Sequence, residues 1–234
     1  MRKSVDSGIS AVILARGGSK GIPGKNLKKI NGTSLIGRTI VAARDCNILD
    51  EIYLSTDDEL IAEEAKKFGA TIINRPAEIS GDEASSEAGW LHALREIKSR
   101  TKKVDFLTFL QCTSPFTTGK DISGCIEGLL DSKASCSLSV IEDHSFMWQK
   151  QKDGFGHGMN HDENSQRARR QDLPPYYKEN GAIYCVRVAD FERVKRRFCG
   201  PVILYTVNHP AVEIDTLDDL EICRAICKER QSSS

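Results

Sequence analysis

The chain has no net charge to direct it toward a partner. Its 33 Lys and Arg balance 33 Asp and Glu, so the chain as a whole invites neither nucleic acid nor an anionic membrane surface, and anion binding must come from local clusters. No apolar run approaches the roughly 18 residues of a membrane span. The N-terminal stretch MRKSVDSG also lacks the apolar centre of a secretory signal. A cytoplasmic protein is therefore expected, with nuclear residence left open. Eight cysteines stand at 46, 112, 125, 136, 185, 199, 223 and 227, but they form no C-x-x-C pair and no Cys/His cluster at zinc spacing, and they read as reduced, mostly buried thiols. Both familiar phosphate-loop signatures are missing as well. Ser19 stands where the Walker pattern needs its first glycine and Asn26 where it needs Ser or Thr, while glycines at 18, 21 and 24 do not spell G-x-G-x-x-G.

What is present is the run Ile9 to Leu27, ISAVILARGGSKGIPGKNL. From Ile9 to Ala15 it is apolar without interruption and rich in β-branched residues, as in a strand covered on both faces. Arg16 ends this abruptly. One loop then holds four glycines (17, 18, 21 and 24), a proline and the cations Arg16, Lys20 and Lys25. Glycines let backbone amides approach a ligand, and three cations on one loop repel one another unless an anion lies between them. A polyphosphate at a strand's carboxyl end is the expected occupant; the alternative is a solvated glycine-rich turn whose lysines serve solubility.

At 234 residues one α/β domain is expected, over 9–230, between polar tails at 1–8 and 231–234. Helical spacing at 34–46, a strand at 51–55, a helix opened by a Thr56–Glu59 capping box and closed at Phe68-Gly69, and a strand at 70–73 alternate in order. A helix over 88–97, a strand over 104–110, a helix over 121–130 and a strand over 136–141 continue the rhythm, which predicts a parallel sheet with right-handed crossovers. Between Glu142 and Asn180 the rhythm breaks, and an insert of that length must pack on or bind something. A strand over 180–188 and a final helix over 217–227 follow. In the extended stretch before that helix, alternation sets Glu213 and Asp215 on one face. Two carboxylates so placed repel unless a proton or divalent cation lies between them, which makes a magnesium site by chemistry. Asp57, at a strand's carboxyl end, faces a nucleotide or metal, or serves as a helix-start carboxylate.

The glycine-rich loop resembles the nucleotide-binding signature of the CMP-acylneuraminate synthetases, the cytidylyltransferases that activate sialic acids. Their pattern is close to L-A-R-x-x-S-K-G-x-P-x-K-N, and Leu14, Ala15, Arg16, Ser19, Lys20, Gly21, Pro23, Lys25 and Asn26 match it. The likeness continues in patches through most of the chain, in R-P-A-E and A-S-S (Arg75, Ala84, Ser86), Q-x-T-S-P (Gln111) and N-G-A-I-Y (Tyr184). It implies an α/β fold: a single Rossmann-like nucleotidyltransferase domain whose mostly parallel sheet carries helices on both faces, plus a dimerisation insert at 142–180 that exchanges with a second subunit to make a homodimer. By the same resemblance CTP is held by Leu14, Ala15, Arg16, Gly17, Ser19, Lys25, Asn26, Arg75, Ala84 and Ser86. Arg16, Lys20, Lys25 and Asp215 are catalytic, Mg2+ sits on Asp215 and Glu213, and the sugar acid meets Gln111, Arg169, Gln171 and Tyr184. CMP then passes from CTP to the anomeric hydroxyl of a 2-keto sugar acid, with release of pyrophosphate.

At two positions the chain departs from the pattern: Glu213 replaces the first Asp of D-x-D, and Met147 replaces a basic residue after H-x-x. Read alone, several of these residues have plainer roles. Ser85 and Ser86 cap a helix, Gln111 closes a polar turn, and Tyr184 lies in a core. The RARRQ run (Arg167, Arg169, Arg170, Gln171) is a solvated charge run or an import signal, for which Lys195-Arg196-Arg197 is a second candidate. Another acidic acceptor, or a non-catalytic nucleotide-binding dimer, is the rival function.

Overall fold

The first strand, β1 (Ile9–Leu14), is the centre of the molecule because its side chains have apolar partners on both sides. Ala11 and Ile13 pack into one buried cluster and Val12 into the other, as alternation along a strand requires; fully burying a side chain the size of Ile13 is worth ~1.5–3 kcal/mol. The computed structural model describes residues 7–19, 21–81, 83–101, 103–167, 169, 172 and 174–232.

After β1 come β2 (Lys29–Ile30), β3 (Thr33–Ser34), α1 (Leu35–Asp45), β4 (Glu51–Thr56), α2 (Glu59–Lys67) and β5 (Thr71–Asn74). The next elements are α3 (Ser86–Arg100), β6 (Phe106–Leu110), α4 (Gly119–Leu130) and β7 (Cys136–Asp143). The chain closes with β8 (Trp148–Lys150), β9 (Gly156–Gly158), β10 (Tyr176–Arg187), α5 (Val188–Val194), β11 (Val202–Thr206) and α6 (Leu217–Ser232). Seven strands form one sheet in the order β11-β7-β10-β6-β1-β4-β5. All pairings are parallel except those of β10, which runs antiparallel to both β6 and β7. Residues of α1, α2, α4 and α6 cover one face with Ala11 and Ile13, and residues of α3 and α5 cover the other with Val12 and Phe109. The expected α/β fold is therefore present. Among the described residues no helix is long and apolar enough to cross a membrane.

Local chemistry explains most boundaries and corrects some. Ser34, Ser85 and Thr118 cap α1, α3 and α4 by accepting from the amides of Gly37, Ala88 and Asp121. The cap of α2 is Asp58, which accepts from Ile61 N at 3.0 Å, rather than Thr56. Thr56 is still paired in β4 with Asn74, so the helix starts two residues later, and the Thr56 hydroxyl serves the Asp58 amide instead. The strand expected at 180–188 begins at Tyr176, inside the insert, and pairs there with Asp143 to Val140 before a register shift between Glu179 and Tyr184. The insert itself carries the β8–β9 hairpin. Strand β11 and helix α5 were not anticipated, although VILYT has the β-branched character of a strand.

One contact between helices depends on a missing side chain. A Cβ at Gly119, in the first turn of α4, would lie 2.6 Å from the backbone carbon of Asp45 at the end of α1. Gly119→Ala is expected to destabilise the protein by about 1–3 kcal/mol, as overpacking against backbone does, read from the midpoint of urea unfolding.

Candidate active site

The chain runs outward from β1 to β4 and β5, then returns to place β6 on the other side of β1. Between β1 and β6 the strand order reverses, and the crevice outside their carboxyl ends is where an open α/β sheet holds a ligand. Two adjoining cavities lie there. One, of about 280 Å³, is lined by Leu14, Arg16, Arg75, Ala84, Ser85 and Ser86 among others. The second, of about 180 Å³, shares Leu14 and Ser86 and adds Asn26, Trp90, Gln111 and Thr113. Trp90 stacks on Phe109 with ring centroids 3.8 Å apart, which makes a rigid floor.

The glycine-rich loop is held above this cleft by specific bonds. Gly17 N donates to Asp57 Oδ1 at 3.1 Å, and a Cβ at Gly17 would lie 2.6 Å from Asp58 Oδ2, so a side chain there would crowd the residue that caps α2. Asn26 is buried and donates its side-chain amide to Arg16 O at 3.2 Å. Arg75 follows β5, with its amide on Thr56 O and its guanidinium on Ser55. Burial holds the Arg75 guanidinium below its ordinary pKa; the charge of Asp57 opposes this and that of Arg16 adds to it. A polyanion between Arg16 and Arg75 would relieve both costs. Burial likewise pushes the Cys112 thiol up to about 12, so beside Gln111 it is a packing group and no nucleophile at neutral pH.

At the rim, the basic loop meets the acidic segment from the far end of the chain. Lys25 Nζ donates to Ile214 O at 3.0 Å and to Asp215 Oδ1 at 3.0 Å, across 190 residues of sequence. Ile214 is fully buried and its amide donates to Thr113 O at 2.9 Å, which leaves Glu213 and Asp215 facing outward, as alternation predicts. Burial and then the charge of Asp215 push the Glu213 carboxyl above its ordinary value, against a hydrogen bond from Thr113. Two small residues make room for this arrangement. A Cβ at Gly21 would lie 2.4 Å from Asp215 O, and one at Gly181, where φ is +68°, would lie 3.2 Å from Glu213 Oε2. The Thr113 hydroxyl also lies 3.3 Å from Gln111 Oε1 and 3.3 Å from Glu213 Oε1, linking the β6 loop to the acidic pair.

The structure thus brings together Leu14, Arg16, Gly17, Asn26, Lys25, Arg75, Ala84, Ser86, Gln111, Glu213 and Asp215 around one cleft. Ser19 lies in the same loop. Three expected residues sit elsewhere. Ala15 points into the core, its amide spent on Ser55 O. Tyr184 is 3% exposed and its hydroxyl donates to Glu179, so it takes the core placement that strand alternation offered and backs Trp90 rather than lining the cleft. Arg169 lies in the insert with its side chain 75% exposed and paired with Asp172, away from both cavities. Lys20 and Gln171 lie outside the described residues. Sequence reasoning missed Thr113, whose signal was its place two residues after Gln111, and the latch of Asp57 on Gly17, which only the fold creates.

The family described as Cytidylyltransferase matches residues 10–229. The chain belongs to the cytidylyltransferase family. Among curated relatives of this cytidylyltransferase, N-acylneuraminate cytidylyltransferase A of Danio rerio is 38% identical over 179 residues, 75% of this chain and 40% of its own length. N-acylneuraminate cytidylyltransferase of Streptococcus agalactiae serotype V is 31% identical over 213 residues, 89% of this chain and 50% of its own. The chain therefore spans half or less of the length of these relatives. Among solved structures, CMP:2-keto-3-deoxy-manno-octonic acid synthetase complexed with CTP superposes with a TM-score of 0.71 at 19% identity, over 96% of this chain and all of its own. A 4-diphosphocytidyl-2C-methyl-D-erythritol synthase from Anaerococcus prevotii follows at 0.64 and 14% identity, over 95% of this chain and 99% of its own. Both share the fold.

Proposed function

We propose that this chain transfers CMP from CTP to the anomeric hydroxyl of a 2-keto sugar acid of the N-acylneuraminate class, releasing pyrophosphate. The observation that carries the reading is the meeting of Lys25 with Asp215 at the mouth of the switch-point cleft, which joins a phosphate-seeking loop to a carboxylate pair. Nucleotidyl transfer asks little covalent chemistry of a protein; it asks for positioning and for neutralised phosphate charge. Arg75, Ala84, Ser86 and Asn26 hold cytidine and ribose in the two cavities. Arg16, Lys20 and Lys25 take the triphosphate and stabilise pyrophosphate as it departs, with the small glycines letting the loop backbone approach the oxygens. Gln111, at the carboxyl end of β6, orients the sugar acid so that its anomeric hydroxyl faces the α-phosphorus from the side opposite the leaving group.

Glu213 and Asp215 fit a magnesium ion. Both are oxygen donors facing one way, and the Glu213 pKa is raised first by burial and then by the charge of Asp215, a repulsion that a divalent cation would cancel. Among the described residues no group of three or more His, Cys, Asp and Glu gathers at metal-ligand spacing; Glu213 and Asp215 are the residues that would hold the ion. Bound there, Mg2+ supplies charge neutralisation on the phosphates.

A homodimer is part of the reading. Met147, Trp148, Phe155, Met159, Tyr176 and Tyr177 of the insert are exposed, a concentration of large apolar groups that a monomer rarely leaves in water, and a partner's insert would carry Arg169 and Gln171 toward the sugar acid. Mass in solution is expected at twice that of the chain, and a strictly monomeric active protein would sink this assignment. The substrate assignment is tested by pyrophosphate release with each nucleoside triphosphate against N-acetylneuraminic, deaminated neuraminic, legionaminic and pseudaminic acids. Release is expected with CTP and one of the acids. Silence with all four acids would overturn the acceptor class.

A further inference from the structure

We propose that His209 is a positioning residue for the Glu213–Asp215 pair, acting through Asp121 at the start of α4; the inference rests on the functional reading above. Between β11 and α6 the acidic pair rides on a stretch, 207–216, with no regular secondary structure. Its ends are held by backbone bonds, Val207 N to Val140 O and Ile214 N to Thr113 O, both at 2.9 Å. In the middle, His209 Nε2 lies 3.0 Å from Asp121 Oδ2, with the two side chains only 16% and 9% exposed.

That aspartate is itself fixed. Its Oδ2 accepts from Thr118 N at 2.9 Å and from the Thr118 hydroxyl, as part of the capping box of α4. Thr118 closes the loop that begins at Gln111 and Thr113. The same two segments, 111–121 and 207–216, are therefore clamped twice, near the cleft by Thr113 on Ile214 and Glu213 and farther out by Asp121 on His209. Without the outer clamp, 208–213 is left to pivot about Ile214 and the carboxylates lose their fixed spacing.

Both ring nitrogens of His209 face acceptors, for Nδ1 lies 3.2 Å from Pro210 O. Only the imidazolium can donate from both. In line with this the His209 pKa is raised, chiefly by the bond to Asp121, while burial and the charge of Arg230 on α6 oppose it. Tyr205 of β11 and Cys125 of α4 also lie within range of the Asp121 charge. A histidine raised above its ordinary ~6.5 is fully paired below that pH and loses the charge on the pair as pH climbs through the raised value.

The test uses the full chain with His209→Ala and with His209→Gln, which keeps a donor but carries no charge. Amide hydrogen exchange over 208–216 is followed in nucleotide-free protein, corrected for chemical exchange, from pH 6 to 9. Half-saturating Mg2+ and KM for CTP are read separately. His209→Ala is expected to speed exchange of this stretch about tenfold and to raise half-saturating Mg2+ about tenfold, with KM for CTP changed less than about twofold, the scale of one charge-assisted hydrogen bond. His209→Gln recovers most of both effects and abolishes the loss of protection that the wild type shows as pH rises. Unchanged exchange in His209→Ala, or acceleration spread evenly over the core, would overturn the clamp. An inactive wild type would count against the transfer reading alone, and exchange would still decide the clamp.

Discussion

Asp215→Ala is expected to lower CTP-dependent pyrophosphate release by about 10³-fold or more, the scale lost when charge stabilisation is removed at a phosphoryl centre, while the protein stays folded. The Asp215 side chain is 67% exposed, so its removal leaves no cavity, and its ion pair with Lys25 adds little to stability in water. What it contributes is position. The segment bearing it is pinned by buried Ile214, and the approach of Gly21 to its carbonyl brings the glycine-rich loop against it. Steady-state release together with a thermal melt checks this. Activity within tenfold of wild type, with an unchanged melt, would remove Asp215 from the site. Asp215→Asn should fall nearly as far, because the amide keeps the shape and loses the charge on which both Lys25 and a cation depend.

Lys25→Ala is the second large effect, an expected fall in turnover of about 10²–10³-fold, as for loss of one preorganised electrostatic group. Lys25 has two jobs in the geometry. Its ammonium binds Ile214 O and Asp215 Oδ1 while only 16% exposed, so it orients the acidic segment, and under the proposed function the same charge would neutralise the triphosphate. Turnover should therefore drop more than affinity for CTP. Lys25→Arg should rescue poorly, since a planar fork does not fit a site shaped for a point charge. Stopped-flow binding of CTP beside single-turnover release separates the two. If CTP affinity alone changes, Lys25 is a binding residue and its contact with Asp215 is incidental.

Much of this site was legible before the fold was known, and the reason differs from residue to residue. The β1 run announced itself by length and β-branching, because a strand covered on both faces has no polar alternation to blur it. The basic loop was legible because glycines and cations at that density stand out against the apolar strand that feeds them. Glu213 and Asp215 were paired by strand alternation, which held because Ile214 between them is buried. Where short-range patterns competed, the reading slipped. Thr56 looks like a helix cap, but β4 keeps it and Asp58 takes the cap. Tyr184 sits in a family-like motif, but its face of β10 turns to Trp90 and its hydroxyl to Glu179.

By itself the sequence determined most of the central elements and the chemistry on offer: which segments form the core strands of the sheet and where cations and carboxylates cluster along the chain. Tertiary structure alone decided which of those groups meet. Lys25 with Asp215, Gly17 with Asp57 and Asp121 with His209 are joined across 190, 40 and 88 positions, and nothing in local pattern encodes such distances. They arise because the return of the chain to the far side of β1 opens a crevice at one end of the sheet. The loops that end there are then forced together by the burial of the strands beneath them.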